Sequence, residues 1–372
     1  MKIALVVPGG VGRDGRTHVI PALLWLIDRL ARRHTVQVFA LQQYAERCTY
    51  PLLGATVHNL AYRQHASSPL RWPGFVRTMQ AQGPFDVLHA FWAAPPGLLA
   101  GIAGRVLRTP TLVSIGGGEL VALRDIGYGG QLGWRSRLST QLALRLAHGL
   151  TAGSGFLQRQ AACMGFQAEM IPLGVDGACF IQPAHAPTAT NTFRLLHVAS
   201  LNKVKDQATL LRAMQRVVAA EPNVHLDVVG EDTLNGRVQQ HCTELGLQAY
   251  VTFHGWQSTD QVRAFLAQAD LFVLTSRHES QCVAVCEAAA AGLPTVGTAV
   301  GLVADWAPQQ AVAVPVGDDA ALAAGILQLL HDPAQRAAFG LAAQRWARAH
   351  DADWTAQQFE QHYERLASKP TP

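Results

Sequence analysis

The sequence predicts an α/β protein built from two doubly wound parallel-sheet domains, and three observations carry that expectation. Short apolar runs alternate with amphipathic segments along the whole 372-residue chain. Several runs, such as "KIALVVP" at 2–8 and "DLFVLTS" at 270–276, are continuously apolar, as strands covered by helices on both faces should be. The alternation breaks once, at "IQPAHAPTATNT" (181–192), a stretch without periodicity that reads as a linker. The length also exceeds one ordinary hydrophobic core.

In the first half the expected strands are 2–8, 35–41, 55–60, 85–91, 110–116 and 149–154. A glycine loop, "PGGVGRDGRTH", follows the first strand, and a helix is expected to start near Thr17. "PLRWPGFVRTMQ" (69–80) reads either as a membrane-surface segment or as a helix packed on the sheet. The second half repeats the pattern with strands at 193–199, 224–230, 250–255, 270–276 and 294–298. Ala352 to Ala367 has helical periodicity through Trp354, Phe359, Tyr363 and Leu366. These readings divide the chain into domains at 1–180 and 181–351, with a terminal helix at 352–368.

With 49% apolar and 15% charged residues the composition is globular. The N-terminus shows no basic leader and no cleavage site, and the longest apolar run, "VIPALLWLI", is half a bilayer span. The expected location is cytoplasmic, with peripheral contact at the inner membrane face as an option. Six cysteines without CxxC or zinc spacing suit buried thiols in a reducing compartment. The net charge of +4 hides an asymmetry, because residues 1–170 hold 17 basic against 7 acidic residues. Such a half suits an anionic membrane or a phosphorylated substrate, or is simply an arginine-rich solvated surface. No aromatic–basic motif supports nucleic-acid binding.

Three loops carry candidate chemistry. Gly10, Gly12 and Gly15 fit GxGxxG nominally, but no acidic residue ends the second strand, so a nicotinamide-dependent oxidoreductase is poorly supported. In "SLNKVKDQATLL", Lys203 and Lys205 stand before a helix that Asp206 can cap, where positive potential suits a diphosphate; a solvated lysine is the alternative. In "SRHESQCVAVCEAAAAGLPTVGT", Glu279 follows a strand and Glu287 lies inside the next helix. Two carboxylates there can accept hydrogen bonds from sugar or ribose hydroxyls, and the amides of Ser280 to Val283 can face an anion. The alternative is a capping Glu279 and a surface Glu287.

Together these residues resemble family 4 glycosyltransferases: Glu279 and Glu287 spaced as EX7E, "EAAAAGLPTVGT", "IPLGVD…F" at 171–180, "SLNKVKD" and the early "GG". The resemblance implies the GT-B fold, two Rossmann-like domains facing an inter-domain cleft, and a retaining transferase using a nucleotide-diphosphate sugar. It implies that Glu279 contacts sugar hydroxyls and that amides of Ser280, Gln281, Cys282 and Val283 hold sugar and phosphate. Glu287 would bind ribose, Lys205 the diphosphate, and Gly10 would let its loop approach the donor. The base would be read by backbone around Gly255 and Trp256, and the terminal helix would return to the first domain. No metal or cofactor is implied, since the only DxD, Asp351–Asp353, lies at the terminal helix.

The chain departs from the family pattern in four places. Ser200 stands where a diphosphate-binding arginine is usual, with Arg277 or an arginine of the first domain as candidates to replace it; Gly116 stands where a histidine is usual. Ser280-Gln281-Cys282 replaces glycine–aromatic–glycine, and Phe91 replaces a second histidine. A front-face reaction, in which a donor phosphate oxygen takes the acceptor proton, survives these losses because the protein mainly positions substrates and stabilises charge. Acceptor-side candidates are Arg13, Asp14, His18, Gly116, Glu119 and Asp125. Cell-surface glycan, glycolipid or small metabolite all remain open as acceptors. The alternative function is a protein of the same fold that binds nucleotide or glycan with weak or no transfer.

Overall fold

The computed structural model describes residues 1–62, 72–180 and 192–368. The chain forms two compact units, Met1–Leu173 with Ala352–Pro372, and Gly174–Asp351. The division falls at Leu173/Gly174 rather than after residue 180. The short helix Gly177–Phe180 belongs to the second unit, where it packs against helix Val283–Ala290 with Phe180 buried. The linker expected at 181–192 lies, up to residue 191, outside the described residues.

The first unit holds eight described strands: β1 (Lys2–Val7), β2 (Thr35–Ala40), β3 (Cys48–Leu52), β4 (Ala55–Asn59), β5 (Val87–Phe91), β6 (Thr111–Ile115), β7 (Gly149–Ala152) and β8 (Glu169–Met170). They lie in the order β3-β4-β2-β1-β5-β6-β7-β8. All pairs are parallel except β3 with β4, which a two-residue turn joins through Leu53 and Gly54, both at positive φ. So short a connection allows only an antiparallel pair. Strand β3 carries Pro51, which the sheet edge tolerates because no neighbour needs its missing N–H.

Alternate residues of β1 serve two cores. Ala4 and Val6 join Phe75, Met79, Ala100 and Leu144 on one face, from helices Trp72–Gln82, Leu98–Leu107 and Trp134–Leu146. Ile3, Leu5 and Val7 join Leu23, Ile27, Phe359 and Tyr363 on the other, from helices Pro21–Ala31 and Ala352–Ala367. Buried Phe75, Val76 and Met79 make 72–82 a helix packed on the sheet; residues 69–71 of that segment lie outside the described residues. The terminal helix is tied down by polar contacts too: Tyr363 Oη to His89 Nδ1 at 2.6 Å, and Thr355 Oγ1 donating to Pro172 O at 2.8 Å. His89 continues through Nε2 to Ser114 Oγ at 2.7 Å, which meets Thr151 Oγ1 at 2.6 Å.

The second unit is parallel throughout, with β9 (Phe193–Val198), β10 (Val224–Val229), β11 (Val251–Gly255), β12 (Leu271–Leu274), β13 (Thr295–Thr298) and β14 (Ala311–Val314). Their order is β11-β10-β9-β12-β13-β14. Strand order reverses between β9 and β12, so the loops leaving these two neighbours diverge and open a crevice at their carboxyl ends. The equivalent reversal in the first unit lies between β1 and β5. Among the described residues no helix is long and apolar enough to cross a membrane.

Candidate functional site

The reversal point of the second unit brings together the loops after β9 and β12. Asn202 shapes the first: its Oδ1 accepts from the amides of Val204 and Lys205, both at 3.1 Å. Asp206, at φ +49°, caps helix Gln207–Ala220 by accepting from Thr209 N and Thr209 Oγ1. Lys205 is thereby fixed at the helix entry, and its O accepts from Thr275 Oγ1 at 2.8 Å. The Arg277 amide donates to Val204 O at 2.7 Å, pinning the two loops edge to edge.

Across that seam Lys205 Nζ forms an ion pair with Glu279 Oε1, and Ser276 Oγ donates to the same oxygen at 2.5 Å. The lysine side chain is 23% exposed and the glutamate 11%. A half-buried pair at a strand reversal is poised to exchange partners, since an incoming anion can take the lysine and hydroxyls can take the carboxylate. The N-cap position of the helix is held by Cys282, at φ +76° and without a side-chain cap, not by Glu279. This is left-handed backbone, which suits glycine, and here a cysteine holds it. Ser280 and Val283 are half-buried, whereas Gln281 is buried and donates through Nε2 to Cys286 Sγ at 3.2 Å.

Glu287 is 8% exposed, one turn into helix Val283–Ala290, rather than on the surface. Burial alone raises its carboxyl from 4.5 to about 8. Burial also pushes the Cys286 thiol up to about 12 and Cys282 higher still, so both are inert. Beneath the site, buried His197 contacts Val273 O through Nδ1 (2.9 Å) and Gln207 through Nε2 (3.2 Å). Burial lowers its pKa to about 4, so it packs neutral under the Lys205–Glu279 pair. Gln207 also donates to the backbone of exposed Ser200 at 3.2 Å. Trp256 stands 55% exposed on the loop after β11. Asn202, Ser276 and His197 escape a reading of the sequence; only His197, which interrupts apolar strand β9, leaves a local mark.

In the first unit the glycine loop is a folded device. Helix Pro21–Ala31 starts four residues later than expected, because Val11 and Val19 form a bridge that holds the intervening residues out of the helix. Gly10 (φ +80°) accepts from Ile20 N at 2.9 Å, and a Cβ there would fall 2.6 Å from the Ile20 side chain. Asp14 accepts from the Arg16 and Thr17 amides (2.9 Å each) and from Thr17 Oγ1 (2.6 Å); chiefly the hydroxyl lowers its pKa to about 2. Arg13 lies over the rings of Tyr44 and Tyr50, while His18 is exposed at φ +53°. Glu119 is turned inward: it accepts from the amides of Ala93 (3.1 Å), Gly116 (3.2 Å) and Gly117 (2.6 Å) and so shapes the loop after β6. A Cβ on Gly116 would fall 3.2 Å from the Trp92 ring, so the indole occupies that space. Asp125 is exposed on the same loop. Among the described residues no three or more His, Cys, Asp and Glu side chains could hold a metal ion.

Comparison with known proteins covers both units. Residues 19–174 match the glycosyl transferase 4-like domain and residues 181–346 the glycosyl transferases of group 1. The chain is 34% identical over 157 residues, 41% of its length, to the lipopolysaccharide core biosynthesis glycosyltransferase LpsD of Rhizobium meliloti, and that stretch spans 43% of LpsD. It is 28% identical over 289 residues to the GDP-mannose-dependent monoacylated alpha-(1-6)-phosphatidylinositol monomannoside mannosyltransferase of Corynebacterium glutamicum, covering 71% of each. Among solved structures, Anabaena HepE in complex with UDP and glucose superimposes with a TM-score of 0.76 at 20% identity, covering 98% of this chain and 100% of that one.

Proposed function

This chain belongs to the glycosyl transferases of group 1, and from that premise we propose that it transfers a sugar, with retention, from a nucleotide-diphosphate sugar to a hydroxyl acceptor. The observation that carries the reading is the Lys205–Glu279 pair at the reversal between β9 and β12, beside a helix N-terminus. Donor binding replaces the internal ion pair. The diphosphate takes Lys205 and the amides of Ser280 to Val283, and the sugar hydroxyls take Glu279. Glu287 holds the ribose, and backbone near Gly255 and Trp256 reads the base. The charge developing on the leaving diphosphate is met by Lys205 and the helix end, so the reaction runs without a metal. Two relatives support a nucleotide-linked sugar: HepE was solved with UDP and glucose, and the Corynebacterium protein is GDP-mannose-dependent. The basic first half supports a cytoplasmic protein in peripheral contact with an anionic membrane.

A thermal-shift panel of UDP, GDP, ADP, dTDP and NAD tests the donor site. A ligand at a hundred times its Kd adds about 2.7 kcal/mol of stability. A shift with one nucleoside diphosphate that Glu287→Ala abolishes supports the site and identifies the base. Release of free sugar from the matching donor separates a transferase from a protein that only binds. Stabilisation by NAD alone would refute the reading.

A further inference from the structure

We propose that the outward face of helix Trp134–Leu146 is a docking surface for an anionic lipid bilayer. This rests on the peripheral-membrane reading above and gives it a location. Trp134, Leu138 and Leu142 recur every four residues and so form one stripe. They are 70%, 58% and 42% exposed, among the most exposed large apolar side chains of the protein. Arg145 lies on the same stripe, and Arg135 and Arg137 flank it on opposite sides, all three exposed. The helix has no acidic residue. Its opposite side, Thr140, Ala143 and Leu144, is buried, and Leu146 meets helix Leu98–Leu107 where Gly101 lacks a Cβ. The helix is therefore anchored by its inner side, and nothing among the described residues needs the outer apolar stripe.

Charge selects the occupant. Residues 72–163 contain eight arginines, no lysine and three acidic residues. Of those three, Glu119 is buried beneath loop amides, and Asp86 and Asp125 are exposed, so arginine outnumbers exposed acid eight to two. A tryptophan and two leucines ringed by arginine, on a helix lying flat against its domain, match the interfacial zone of a membrane carrying anionic headgroups. A second copy of this chain fits poorly, because a two-fold contact would bring the same arginines face to face.

The test is co-sedimentation of the full chain with vesicles of pure phosphatidylcholine and of two parts phosphatidylcholine to one part phosphatidylglycerol. Expected is binding to the anionic vesicles alone, weakening as salt is raised. Trp134→Ser/Leu138→Ser/Leu142→Ser should lower partitioning at least about tenfold, by loss of buried apolar area. Arg135→Glu/Arg137→Glu/Arg145→Glu should lower it independently and remove the salt dependence. All six positions are exposed, and circular dichroism melting checks that both variants fold. If the wild type binds and both folded variants bind equally well, the membrane contact lies elsewhere and the assignment fails. If the wild type binds neither vesicle, the peripheral-membrane reading fails with it. A dimer that the serine variant dissociates, without vesicle binding, would give this face to a second copy and overturn the proposal.

Discussion

Replacing Glu287 by glutamine tests the donor site through a proton. Burial holds the Glu287 carboxyl at about 8 against an ordinary 4.5. Below pH 4.5 the folded and unfolded chains are both protonated there. Between 4.5 and 8 only the unfolded chain ionises, so stability falls as pH rises, by about 5 kcal/mol at most. Above 8 both forms are ionised and the fall ends. Glutamine resembles the protonated acid in shape and does not titrate. The variant should therefore fold, should lose this descent, and should melt higher than wild type at pH 8.

Nucleotide binding supplies the second readout. If ribose hydroxyls donate to Glu287, they favour the carboxylate, and binding below pH 8 releases nearly one proton. Ionising the group at pH 7 costs about 1.4 kcal/mol, so affinity should rise about tenfold per pH unit up to 8 and then level off. Titration calorimetry in two buffers of different ionisation enthalpy counts the proton. The nucleotide's own phosphate titrates near pH 6, but it does so equally with both proteins, so the difference between them isolates the carboxyl. Equal proton release by wild type and Glu287→Gln would refute both the buried acid and its role at the ribose.

Three further outcomes follow from the same geometry. Lys205→Ala should lower kcat by about 10²–10³ with the fold intact, because it removes the cation nearest the leaving group; sugar release from the matching donor measures it, and an unchanged kcat would transfer that role to another residue such as Arg277. Cys282→Gly should raise stability to urea by about 1 kcal/mol, since glycine holds φ +76° without strain, whereas Cys282→Ala should give no such gain. Tyr363→Phe should cost about 1–3 kcal/mol by leaving the Nδ1 of buried His89 without its partner, and a melt within error of wild type would mean the ring packing alone anchors the terminal helix.

The parts of this molecule that periodicity can reveal are those where one rule acts alone. Strand β12 is wholly apolar and buried, and β9 and β10 each carry four apolar residues of six, so all three stand out in the chain. Strand β3 contains a proline and β8 is two residues long, and each persists because a neighbour supplies its hydrogen bonds; such dependence leaves no local trace. Spacing along the chain likewise separates Glu279 from Glu287, but it does not say which one pairs with Lys205. That follows from parallel strands β9 and β12 lying side by side while 72 residues of chain intervene between them. The late helix start after the glycine loop has the same origin, since the Val11–Val19 bridge overrides a local helical preference. Glu119 shows the converse: its residue type suggests a ligand, yet three loop amides already occupy its oxygens. A carboxylate at a strand end is thus a binding group only where the backbone around it is satisfied by other partners. Glu279 meets that condition, because its partners are a lysine and a serine side chain that a substrate can displace. Glu119 does not, because displacing its partners would unmake the loop.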